Sequence, residues 1–122
     1  MQKLKEIFKT IRNDFRTVVP PLNNVVDEEH HYEVWADYQG KKTFFGRIIM
    51  HQDEVELSFF ADMTRETMWT LFPGDIFKRM EHTFDCRIND LSPELNANII
   101  EVIDNLIDYF RIEHLLGPQT EF

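Results

Sequence analysis

One cysteine, Cys86, is present in the 122 residues. No intramolecular disulfide can form, every CxxC-type zinc or redox motif is excluded, and the usage fits a reducing compartment. Glycine is almost as scarce. Four residues leave no Gly-rich phosphate loop, no dinucleotide fingerprint and no G-x-S-x-G turn. No run approaches the roughly eighteen consecutive apolar residues that cross a membrane. The first stretch, MQKLKEIFKTIRNDF, interleaves charge with apolar residues where a secretion signal needs an unbroken apolar region. The expectation is a soluble, cytoplasmic chain with no membrane partner. Basic charge is the last shortage: 13 Lys and Arg stand against 22 Asp and Glu, a net −9 at pH 7. That balance repels phosphate backbones and argues against nucleic acid as a partner.

What is present is the material of a core. Apolar residues make up 43% and aromatic residues 13%, with eleven Phe, so the chain is read as one packed domain over residues 1–122. Leu4, Ile7, Phe8, Ile11, Phe15 and Val18 recur at helical spacing, with Lys5, Lys9, Arg12 and Arg16 opposite, until Pro20 and Pro21 end the pattern. This first helix holds the only basic cluster in the chain. Residues 19 to 31, VPPLNNVVDEEHH, show no sustained period and read as a connector. Segments 32–38, 42–51 and 55–61 then alternate or are β-rich, and their three-residue separations predict an antiparallel meander. Thr64 is placed to cap a short helix ending near Pro73-Gly74, with further helix over 75–82, and residues 83–88 alternate as a fourth strand. Ser92-Pro93-Glu94 announces the last helix, whose apolar stripe is Leu95, Ile99, Val102, Ile103, Leu106 and Phe110. The expected order is α-β-β-β-α-β-α. It implies an α+β two-layer sandwich, an antiparallel sheet with helices packed on one face.

Strand parity divides the side chains between the two faces. Val34, Ala36, Tyr38, Phe44, Ile48, Met50, Val55, Leu57 and Phe59 fall on one side. The other side receives Glu33, Trp35, Asp37, Phe45, Arg47, Ile49, Glu56, Ser58 and Phe60. Trp35, Phe45, Ile49 and Phe60 are large apolar groups where a solvated sheet carries polar ones, and with Arg47 they form the candidate binding surface. A homodimer contact or the surface of another protein fits such a face. A covering loop, residues 19–31, is the bland alternative.

Catalytic and metal chemistry find less support. The pentapeptide Asp27-Glu28-Glu29-His30-His31 has ligand chemistry but no ligand spacing, because adjacent residues in an irregular segment point in different directions. It is read as a solvated loop. Cys86, in an alternating strand, is read as a small buried hydrophobe. Glu101, Asp104 and Asp108 form one acidic stripe on the last helix, either a solubilising face or a surface for cations or a basic partner. Likewise the Lys5, Lys9, Arg12 and Arg16 row either faces solvent or docks an anionic surface. An enzyme site gathering Arg47, His51 and His82 needs three distant residues to converge. No catalytic residue, metal ligand or cofactor is assigned.

Across HHYEVWADYQGKKTFFGRII, LFPGDIFKR and DLSPELNANIIEVIDNLI, through Gly40-Lys41, the Phe doublets, Leu71-Phe72-Pro73 and the Ser92-Pro93 cap, the chain resembles the YdhG-like and YjbR-like small bacterial domains of unknown function. The resemblance implies an α-β(3)-α-β(2)-α fold like that of type III secretion chaperones, which are likewise small, acidic and dimeric. It also implies an alternative, since some YdhG-like members are described as frataxin-like iron chaperones. The expectation is a non-enzymatic binding or protein-interaction module that acts through its aromatic sheet face; the alternative is an acidic metal carrier.

Overall fold

The computed structural model describes residues 2–80 and 85–117. The first apolar repeat is helix α1 (Gln2–Arg16), and Leu4, Ile7, Phe8, Ile11 and Phe15 are all buried along it. After α1 the connector is only partly a loop. Asn23–Asp27 is an edge strand, β1, antiparallel to β2 (His31–Tyr38). It carries no apolar alternation because it buries almost nothing: only Val26 is even half-buried. Its partner's backbone holds it in place, and a bulge between Asn24 and Val26 lets the Asn24 side-chain amide donate to the carbonyls of Val26 (2.7 Å) and Glu33 (3.1 Å).

Strands β3 (Lys41–Met50), β4 (Val55–Phe59) and β5 (Asp85–Ile88) complete a sheet of order β1-β2-β3-β4-β5 in which every neighbour is antiparallel. The proposed strand over 83–88 is seen from Asp85; Phe84 lies outside the described residues. Between β4 and β5 come α2 (Arg65–Leu71) and α3 (Gly74–Arg79), separated where Pro73 supplies no backbone N–H to continue α2. The Thr64 hydroxyl accepts from the Thr67 N–H as the α2 cap. The last helix, α4 (Pro93–Ile112), starts with Pro93 in its first turn, and the Ser92 hydroxyl accepts from the Leu95 N–H at 3.0 Å. The described order is therefore α-β-β-β-β-α-α-β-α. The two-layer α+β class stands, and the order gains one strand and one short helix. No described helix is long and apolar enough to cross a membrane.

Helices α1 and α4 lie against each other, with α1 over β3 and β4, α3 against β5 and α4, and α2 on α4. Their apolar stripes meet Tyr32, Val34, Ala36, Ile48, Val55, Leu57, Phe59, Cys86 and Ile88 in one contiguous core. Phe15 stands at its centre, with ring centroids 5.7 Å from Phe59, 6.3 Å from Phe45 and 6.5 Å from Tyr32. Beneath it the chain needs Gly46, where a Cβ would come within 2.7 Å of the Phe15 ring.

The same spot corrects the strand parity. Val34 pairs with Gly46 but Trp35 pairs with Phe44, so Phe45 is an extra residue opposite β2. A bulge of this kind turns two successive side chains toward one face. Phe45 accordingly enters the core, 5.1 Å from Phe110, and Phe44 moves to the open side. Strict alternation places each on the opposite face. Phe60 also leaves the expected surface. It follows the last residue of β4, and its ring lies 5.0 Å from Phe110 and 6.3 Å from Tyr109, in the helix layer.

Candidate functional site: the open sheet face

Register fixes what the uncovered face presents. One row runs His31, Ile49, Glu56, Arg87 across β2 to β5, and the next runs Glu33, Arg47, Ser58, Asp85. Basic and acidic groups therefore stand opposite one another across the strands, an arrangement that stabilises neighbouring pairs. Trp35 and Phe44 form the following row.

Two carboxylates organise these rows. Glu33 accepts the indole N–H of Trp35 at 2.6 Å on one oxygen and lies 2.9 Å from His31 Nε2 on the other. The Trp35 ring is thereby fixed, and it meets Phe44 edge to face at 5.8 Å. Glu56 is only 8% exposed, and burial of a carboxylate demands compensation. Three cationic or ionisable groups supply it. His51 Nε2 lies 2.8 Å from Oε1, Arg87 Nη2 3.5 Å from the same oxygen, and Arg47 Nη2 3.7 Å from Oε2. Arg87 also donates to Glu54 at 2.6 Å, a bond that pushes its pKa further up. The Ser58 hydroxyl donates to Asp85 at 2.6 Å.

Arg47 joins the charged rows to the aromatic corner. Its guanidinium carbon lies 5.9 Å from the Phe44 ring centre, near enough for a cation–π contact. Trp35, Phe44 and Ile49 are each half-buried, and none belongs to the hydrophobic cluster under the helices. Beside Trp35, Asn23, Val25 and Lys42 complete a shallow depression of about 160 Å³.

Of the five residues assigned to this surface from sequence, Trp35, Arg47 and Ile49 are on it; Phe45 and Phe60 are not. Phe44 and His31 are members that strand parity did not place here, whereas Glu33 and Glu56 fall on this face by parity and stand on it in the structure, outside the five-residue candidate set. Neighbouring residues of a strand face opposite ways, so the doublet Phe44-Phe45 puts one ring on each face, and the bulge decides which.

The other candidates disperse. Asp27 ends β1 and pairs with Arg16 at 3.4 Å, while Glu28 and His31 close the β1–β2 turn through their backbones. The pentapeptide is thus a hairpin turn with a strand residue at each end. Among the described residues no three His, Cys, Asp or Glu side chains converge where a metal could be held. Glu101, Asp104 and Asp108 are all exposed on α4. Arg47 and His51 do meet, at Glu56, whereas His82 lies outside the described residues. Cys86 is buried without a disulfide partner, and desolvation raises its thiol pKa to about 11, the opposite of an activated nucleophile. Comparison of the chain with protein-family models, curated proteins and solved structures finds no match.

Proposed function

We propose that the chain is a non-enzymatic protein-interaction module that recognises a protein partner, a second copy of itself included, through the open sheet face. The observation that carries this reading is the Trp35–Phe44 pair with Ile49, held outside the core by Glu33 and Arg47. Trp and Arg are the side chains that most often dominate binding energy at protein interfaces, and a ring fixed beforehand loses little entropy when a partner covers it. The polar rows around them supply directional contacts that set register with the partner.

The resemblance to YdhG-like and YjbR-like domains belongs to the same proposal, although here four strands and not three precede the central helices. The acidic metal-carrier alternative gains no comparable support, because its carboxylates are spread between the β1–β2 turn, a salt bridge and the outer side of α4.

Light scattering across a concentration series, together with affinity capture on the immobilised chain, tests the reading. We expect self-association or capture that the double substitution Trp35→Ala, Phe44→Ala abolishes while the chain stays folded. A chain that is monomeric at millimolar concentration and captures nothing, or association that the double variant leaves intact, would overturn it.

A further inference from the structure

Two adjoining depressions of about 270 and 220 Å³ share Lys5 and Met50 and make one groove between α1 and the turns at one end of the sheet. Lys5, Lys9 and Arg12 form its α1 wall. Met50 supplies apolar surface within it, over the buried Leu4 and Phe8. The opposite wall comes from the β1–β2 turn, through Glu29 and His30, and from the β3–β4 turn, through His51 and Gln52.

The charge here runs against that of the whole chain. Two other cations of α1 are paired, Lys3 with Asp90 at 3.2 Å and Arg16 with Asp27 at 3.4 Å. Lys5, Lys9 and Arg12 form no salt bridge with any described residue. Arg12 Nε is moreover shut off from solvent with no hydrogen-bond acceptor, while its guanidinium lies over Phe8. Three unneutralised cations therefore face one carboxylate, Glu29, in a molecule of net charge −9.

We propose that this groove binds an acidic peptide segment in extended conformation. Helical rise places Lys9 about 6 Å and Arg12 about 10.5 Å beyond Lys5 along the α1 axis. Alternate side chains of a strand are about 6.6 Å apart, so two carboxylates at alternate positions match the Lys5–Lys9 step, and Arg12 lies short of the third. The residues between them project to the other wall, where His30, His51 and Gln52 stand. Two depressions joined through Lys5 and Met50, neither of them enclosed, suit a chain in preference to a buried small molecule. A membrane or a nucleic acid would extend over the acidic remainder of the surface and be repelled there, whereas a short peptide touches only the groove. This inference does not rest on the open-face reading.

Fluorescence anisotropy of a labelled Glu-Val-Glu-Val-Glu peptide tests it, with Gln-Val-Gln-Val-Gln as control. Saturable binding is expected for the acidic peptide alone, weakened by about 0.3 M salt. Lys5→Gln and Lys9→Gln should each lower affinity about two- to five-fold, the range for solvent-exposed ion pairs. Lys9→Glu should lower it further, with unchanged circular dichroism showing that the fold is intact. Absence of saturable binding, binding indifferent to Lys9→Glu, or equal competition by inorganic phosphate or by phosphatidylserine-containing vesicles would overturn the proposal.

Discussion

Cys86 has no accessible surface in β5, and its thiol pKa is pushed up to about 11 by desolvation, with Arg79 drawing it down more weakly. The folded state therefore favours the neutral thiol. Its stabilising effect is complete below the unfolded value of 9.0 and is lost as pH rises from there through about 11. A gap of two units corresponds to about 3 kcal/mol. Burial shifts Tyr32 in the same direction, from 10.0 upward, and extends the loss to higher pH. Urea denaturation between pH 8 and pH 11 should show stability falling for the native chain and a shallower fall for Cys86→Val; equal slopes would contradict this account. Residue by residue, the local features were legible: the Thr64 and Ser92 caps depend only on a hydroxyl and an N–H three positions later. Glu56 was not. Its burial depends on Arg47, His51 and Arg87, brought to it from two neighbouring strands and a turn.

Among the elements, α1 and α4 were readable because each buries a full stripe, so the packing requirement is written into every third or fourth residue. Strands β2 to β4 were readable from apolar residues recurring at period two in the sequence, although β4 is buried along its whole length and a bulge interrupts β3. Edge strand β1 was not, since it buries no face that would impose a pattern and is held by backbone pairing with β2. The β3 bulge escaped the same logic, because an inserted residue breaks the alternation used to find the face. The two registers differ in energy. With Phe45 between Phe15 and Phe110, Phe45→Ala should cost about 3–5 kcal/mol. Phe44→Ala should forfeit about 0.5–1.5 kcal/mol of edge-to-face contact with Trp35, plus a minor burial loss. Chemical denaturation of the two variants decides between them, and a reversed ranking would restore strict alternation.

At the scale of the whole molecule, all four helices and strands β2 to β5 contribute to a single hydrophobic cluster, so the layers should unfold together. Two tryptophans report on opposite parts: Trp35 on the open sheet face, and Trp69, 72% exposed on α2, where its ring meets Phe77 at 5.2 Å. Urea transitions followed by fluorescence in Trp35→Phe, by fluorescence in Trp69→Phe and by far-ultraviolet circular dichroism should coincide. An earlier transition from Trp69 would mean that α2 and α3 detach first, with the Asn105 side-chain bond to the Leu71 carbonyl as the tether that fails. The β5 side of the sheet is closed within the same unit, by α3 and by Arg79 donating to the Arg87 carbonyl at 3.3 Å. By itself the sequence determined the α+β class, both long helices, three meander strands and the caps, because periodicity and capping are enforced within a few residues along the chain. Tertiary structure alone decided the edge strand, the exchange of Phe44 and Phe45 between faces, the carboxylate-centred rows and the basic groove beside α1. Each of those depends on which distant backbone lies alongside, and no local pattern records that choice.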